Sequence, residues 1–87
     1  MFDALANPAR RKILKLLRKK PMSAGELAEH FDLAKPTLSG HFAVLKSAGL
    51  ISAERKGTTI LYRLNMSVLE EALAALIDIA GMKGKTS

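Results

Sequence analysis

The side chains in this 87-residue sequence whose types and spacing could suggest catalytic or ligating chemistry are His30 and His41, Ser39 two residues before the latter, and the carboxylates Glu26 and Glu29. A nucleophile and its base must share a hydrogen bond. Residues two apart on a helix point roughly 200° from each other, so Ser39 and His41 do not make such a pair. Glu26 stands three residues after Ser23 in the S-x-x-E pattern of a capping box, and Glu29 fits a solvated face, so the two carboxylates do not read as a general acid and base. The sequence holds no cysteine. Two histidines without a thiolate cannot assemble the usual tetrahedral zinc site, and no phosphate-binding loop is present. The expectation is therefore a protein that is not an enzyme and needs no metal or cofactor. What remains are small, polar and basic side chains in a short span: Lys35, Thr37, Ser39, Gly40, His41 and Lys46, then Arg55 and Lys56. Lysine and arginine attract phosphates, and short polar side chains reach base edges, so the chemistry they offer is recognition of double-stranded DNA.

Such residues read DNA only if rigid elements hold them, and the sequence supplies the punctuation for these. Phe2 to Ala6 is a short apolar helical segment. Asn7 as N-cap and Pro8 at the first helical position open a second helix, with Ile13, Leu14, Leu16 and Leu17 inward, Lys19 and Lys20 in its last turn and Pro21 as its stop. Ser23 and Glu26 open a third helix, Ala24 to His30, near whose C-terminus an imidazole suits the dipole. Phe31, Asp32 and Leu33 form a turn. Leu38, Phe42 and Leu45 recur at spacings of four and three and mark the buried stripe of a fourth helix, Lys35 to Ala48. Ala34 is a poor cap and Lys35 a cation at the positive end of the dipole, defects that a docked phosphate would correct. Gly49 ends that helix. Leu50 to Glu54 and Thr59 to Leu64 alternate as two antiparallel strands around a basic tip, Arg55, Lys56, Gly57 and Thr58, with Tyr62 either in the core or against the sugar-phosphate backbone. Asn65 or Ser67 caps a last helix with Glu70 and Glu71 in its first turn and Leu69, Ala72, Leu73, Leu76, Ile77 and Ala80 in an apolar stripe.

The expected fold is mainly α: a winged helix-turn-helix of about five helices and a two-stranded hairpin, one domain over residues 1–80 with a frayed tail over 81–87. Composition agrees, with a formal net charge of +6 and an isoelectric point near 10.0, which suits a polyanion. A core this small is marginal alone, and dimerisation would relieve the shortage. The absence of cysteine suits a reducing cytoplasm, no apolar run is long enough to span a membrane, and the first residues lack a signal-peptide core. Aromatic residues are 5% of the chain, too few for the stacking platform that single-stranded RNA requires.

The run from NPARRKILKLL through AGELAEHFDLAKPTLSGHFAVLKSAGLISAERKGTTILYRL resembles the ArsR/SmtB winged helix-turn-helix repressors, over about Leu5 to Leu64. Within that family it looks most like the SdpR-like branch of small autorepressors that do not sense metals. The resemblance implies a homodimer joined by the first and last helices, which places Phe2, Leu5, Leu69, Leu73, Leu76 and Ile77 in the interface, and repression from an inverted-repeat operator. The serine and histidine of the family's S-x-H-L block fall on Ser39 and His41, with Phe42 in place of leucine, and its basic wing on Arg55 and Lys56. Metal-sensing members carry an E-L-C-V-C block, which here reads Glu26, Leu27, Ala28, Glu29, His30, and others use last-helix histidines where this chain has only Asp78. A second reading is an interaction adaptor, or a repressor released by an inhibitory protein docked on the last helix.

Overall fold

The computed structural model describes residues 1–81, in which five helices and three strands follow the order α1 (Phe2–Ala6), α2 (Pro8–Lys19), β1 (Met22–Ser23), α3 (Ala24–Ala28), α4 (Lys35–Ser47), β2 (Ile51–Lys56), β3 (Thr59–Leu64) and α5 (Met66–Ala80). Asn7 caps α2 by accepting from the Ala9 and Arg10 amides at 2.8 and 3.2 Å, with Pro8 in the first turn, where its missing N–H costs nothing. The capping box of α3 is complete: Ser23 Oγ accepts from the Glu26 amide at 3.1 Å and Glu26 Oε1 from the Ser23 amide at 2.8 Å. Asn65, rather than Ser67, caps α5. Gly49, at φ +79°, ends α4 with two bonds, its own amide to the Lys46 carbonyl at 2.9 Å and the Leu50 amide to the Leu45 carbonyl at 3.0 Å. This is a Schellman ending, and Leu45 and Leu50, both wholly buried, provide the apolar contact that accompanies it.

Ile13, Leu27, Leu45 and Leu50 are the deepest side chains, joined by Leu14, Leu17, Met22, Leu38, Phe42 and Ile51 in one core. Helices α2, α3 and α4 therefore share a single apolar centre, and Leu16 sits half-buried at its margin. The sheet has the order β1-β3-β2, all antiparallel. Strand β1 is a departure from the two-stranded expectation: Met22 pairs with Tyr62 and Ser23 with Leu61. Two residues are too few to show alternation, and their partner lies about forty positions away, so no local pattern announces the pairing.

Several expected boundaries move. Helix α3 stops at Ala28, with Glu29 and His30 in a turn, and α4 stops at Ser47. The wing strand begins at Ile51 and runs on through Arg55 and Lys56, leaving only Gly57 and Thr58 as the loop. Gly57 at φ +65° supplies the positive dihedral that the first position of a type II′ turn requires, and a two-residue loop lets the ladder continue to the tip. Because α5 starts at Met66, its first turn contains no acid, and Glu70 and Glu71 fall in the second. Gly81, expected in the tail, is the left-handed C-cap of α5; the rest of that expected tail, 82–87, lies outside the described residues. No described helix is long and apolar enough to cross a membrane.

Two measurements check this packing. Ile13→Val should lower the urea unfolding free energy by about 1 kcal/mol, the cost of one buried methylene, with an unchanged denaturant slope. The Ser23 amide holds the Glu26 carboxyl below its ordinary pKa against the opposing effect of desolvation, with lesser help from Lys20 and the Ser23 hydroxyl. A depressed folded-state pKa gives stability that is present above the unfolded pKa and lost as pH falls through the folded one. Acid titration of stability should therefore be shallower in Glu26→Gln than in the wild type over that acidic window.

Candidate nucleic-acid interface

The rotation of α4 about its axis is set by Leu38, Phe42 and Leu45, which are 3%, 6% and 0% exposed. With these three inward, Lys35, Thr37, Ser39, Gly40 and Lys46 all reach solvent. Thr37 and Ser39 lie roughly 200° apart and flank the bare backbone at Gly40. An added Cβ at Gly40 would meet nothing within 4 Å, so packing within the protomer does not demand glycine there. At the start of the helix Ala34 offers no side-chain cap. Pro36 in the first turn has no N–H and the Leu38 amide already bonds the Ala34 carbonyl at 3.0 Å, so the amides of Lys35 and Thr37 are the ones left open.

The wing stands beside one flank of this face. Phe42 packs on Tyr62 of β3 with ring centroids 4.7 Å apart, and Ser39, Ala43 and Lys46 line a shallow groove with that pair. Tyr62 is thus half-buried against α4, between the two roles expected of it. Arg55 and Lys56 are neighbours on a strand and project to opposite faces of the hairpin, not together from its loop. Lys56 lies 3.8 Å from Glu54, and Arg63 donates to the same carboxylate at 3.3 Å. These exposed pairs are weak and leave both cations able to turn to a phosphate. Arg63 is a wing cation that the strand pattern alone did not single out.

His41 occupies the opposite flank, one turn after Thr37, and is half-buried against α2. There Arg10 Nη1 lies 3.3 Å from His41 Nδ1, while Arg10 Nε donates to the Ala4 carbonyl at 3.1 Å and Nη2 to the Asp3 carbonyl at 2.8 Å. Arg11 Nη1 donates to the carbonyls of Leu5 at 2.9 Å and Ala6 at 3.0 Å. Together the two arginines satisfy the last four carbonyls of α1, the set that a helix end leaves orphaned. Nothing in the local periodicity marks this role; the only signal is a doubled arginine just after a short helix. Lys12 similarly binds the turn after α3, donating to the His30 carbonyl and covering the Phe31 ring at 4.7 Å. His30 thus acts there through its backbone.

Among the described residues no three histidine, aspartate or glutamate side chains gather where they could hold a metal. Of the residues expected in an interface between copies, Phe2, Leu73 and Leu76 are 46%, 55% and 39% exposed. Leu5 and Leu69 are half-buried against the protomer's own core and Ile77 is also half-buried. Ile79, which was not expected there, is 71% exposed on the same helix.

This arrangement has close counterparts. A sequence model described as "Bacterial regulatory protein, arsR family" matches residues 7–53. The chain is 48% identical over 78 residues to the transcriptional repressor SdpR of Bacillus subtilis (strain 168), covering 90% of this chain and 87% of SdpR. Among solved structures, one titled a possible transcriptional regulator for arsenical resistance superposes with a TM-score of 0.79 at 34% identity, covering 87% of this chain and 78% of that one. An ArsR family transcriptional regulator superposes with a TM-score of 0.83 at 28% identity, over 97% of this chain and 92% of the other.

The open space around Gly40 has a measurable consequence. Gly40→Ala should raise the unfolding free energy by about 1 kcal/mol, the helix-propensity difference, because the new methyl group meets no atom. Chemical denaturation of the purified protein reads this directly, and a fall in stability would show that the backbone there is under a constraint other than space.

Proposed function

The chain belongs to the arsR family of bacterial regulatory proteins, and from that premise we propose that it is a sequence-specific repressor of transcription that binds double-stranded DNA as a homodimer on an inverted-repeat operator. The observation that carries this reading is the outward face of α4: polar, weakly basic, held in rotation by three buried side chains and set beside a cationic hairpin. In this account Thr37, Ser39 and Gly40 approach base edges, with His41 and Lys46 at the two flanks. Lys35, Arg55, Lys56 and Arg63 draw in phosphates, and the open amides of Lys35 and Thr37 add donors at the positive end of the helix.

Dimerisation is supported by the apolar surface that α1 and α5 leave uncovered, Phe2, Leu73, Leu76 and Ile79. Two copies joined there would place their α4 helices in successive major grooves about 34 Å apart. Independence from metals is supported by the sequence, which has no cysteine in the Glu26–His30 run and no histidine in α5. A cytoplasmic setting suits a DNA-binding regulator with these properties. The same uncovered α5 surface supports a second reading, in which an inhibitory protein docks there to lift repression.

Selection of duplexes from a random pool at about 0.15 M salt should enrich an inverted repeat with half-sites about one helical turn apart. Replacing both Arg55 and Lys56 by alanine should weaken binding to every sequence and reduce the slope of log affinity against log salt by about 2. An unchanged slope would remove the wing from the interface. Ser39→Ala, by contrast, should alter the enriched sequence. Sedimentation at tens of micromolar should give a dimer, and Leu73→Glu a monomer; a wild-type monomer would transfer the α5 surface to the second reading.

A further inference from the structure

The Arg10–His41 contact carries information about a proton. A guanidinium has five N–H donors and no acceptor, so the imidazole nitrogen it meets must be the accepting one. That nitrogen is Nδ1, 3.3 Å from Arg10 Nη1. The arrangement therefore places the ring proton on Nε2. Among the described residues Nε2 has no hydrogen-bond partner, and no buried side-chain nitrogen or oxygen is left without one, so Nε2 reaches solvent. His41 stands one helical turn after Thr37, on the flank of the outward face of α4.

We propose that Arg10 is a positioning residue for the DNA-reading surface: it fixes His41 in the tautomer protonated on Nε2, so that α4 presents one N–H donor, in one orientation, to an acceptor oxygen or nitrogen on the DNA. This rests on the reading of α4 as the DNA-reading helix. The Arg10 guanidinium is itself oriented, because Nε and Nη2 are committed to the carbonyls of Ala4 and Asp3 in α1. Three of its donors thus bridge a short terminal helix to the recognition helix, and the remaining choice of tautomer is made by geometry and not by the ligand. The acceptor is a phosphate oxygen or the O6 or N7 edge of a guanine, which share this chemistry.

The test joins a spectroscopic and a binding measurement on the full chain. Long-range proton–nitrogen correlation of the imidazole rings should show His41 protonated on Nε2 in the wild type and a mixture of tautomers in Arg10→Met. Arg11→Met, which also frees two α1 carbonyls but does not touch His41, should leave the wild-type pattern. A wild-type ring protonated on Nδ1 would overturn the assignment even if Arg10→Met does not fold.

On a duplex obtained by random-pool selection, His41→Gln, whose amide N–H extends to the place of Nε2, should bind within about threefold of wild type. His41→Asn, which reaches only as far as Nδ1, should lose about tenfold, as for one lost hydrogen bond to DNA. Arg10→Met should lose about threefold in the His41 background, the cost of selecting one state from a mixture, and almost nothing further in His41→Asn. Additive losses would overturn the proposal by showing that Arg10 acts through α1 alone. A loss uniform across sequences identifies a phosphate acceptor, and a changed preference a base. Failure of the wild type to bind any duplex would overturn the DNA reading itself, an outcome distinct from additive losses in a protein that binds.

Discussion

Burial of Leu38, Phe42 and Leu45 is the constraint on which the remainder of this molecule depends, because it fixes which residues of α4 the solvent sees. A helix free to roll by one residue, about 100°, would exchange Ser39 for Leu38 on its outward face. The three side chains belong to a core that also holds Ile13, Leu14 and Leu17 of α2, Leu27 of α3 and Leu50 at the end of α4. The weak amphipathic character of α4, with alanine, valine and glycine on its exposed side, is consistent with this division. Its exposed face needs little charge, since the wing supplies cations at its edge, and small side chains keep the backbone near whatever the helix approaches.

Helix α1 is maintained by a different kind of force. Five residues are far too few for a stable isolated helix, and only Ala4 of this segment is fully buried. Its carboxyl end is instead gathered by Arg10 and Arg11, whose guanidinium groups accept the role that a glycine cap plays elsewhere in the chain. Charge-assisted bonds to carbonyls are stronger than those between neutral groups. The segment NPARR thus does two jobs within five residues: Asn7 and Pro8 begin α2, and the arginines reach back to finish α1.

Much of this was legible from residue types and spacing. The caps at Asn7 and Ser23, the stop at Gly49 and the buried stripe of α4 all follow from local rules, and each lies where those rules put it, whereas at the start of α5 the rules left Asn65 and Ser67 both open and the chain uses Asn65. Long-range pairing was not legible. Strand β1 exists only because β3 offers it an edge, Arg55 and Lys56 are strand residues because Gly57 and Thr58 suffice to turn the chain, and the Arg10–His41 contact joins positions 31 apart. The apolar stripe of α5 was legible in outline, but half-burial of Leu69 and exposure of Ile79 depend on how that helix rolls against the core, and half-burial of Leu5 on how α1 does, which periodicity over one helix does not fix.

Ser23 belongs at once to β1, where it pairs with Leu61, and to α3, whose first turn it caps. Ser23 therefore ties the hairpin to α3 directly, and Tyr62 beside that junction packs on the ring of Phe42. A wing hinged only at its root would flap, and each docking event would have to still it. Here the root is tied by the pairings of Met22 and Ser23 and by the Phe42–Tyr62 contact, while the rungs toward Gly57 are exposed. A hairpin tied in this way would have less conformational freedom to surrender on docking than one joined at its root alone.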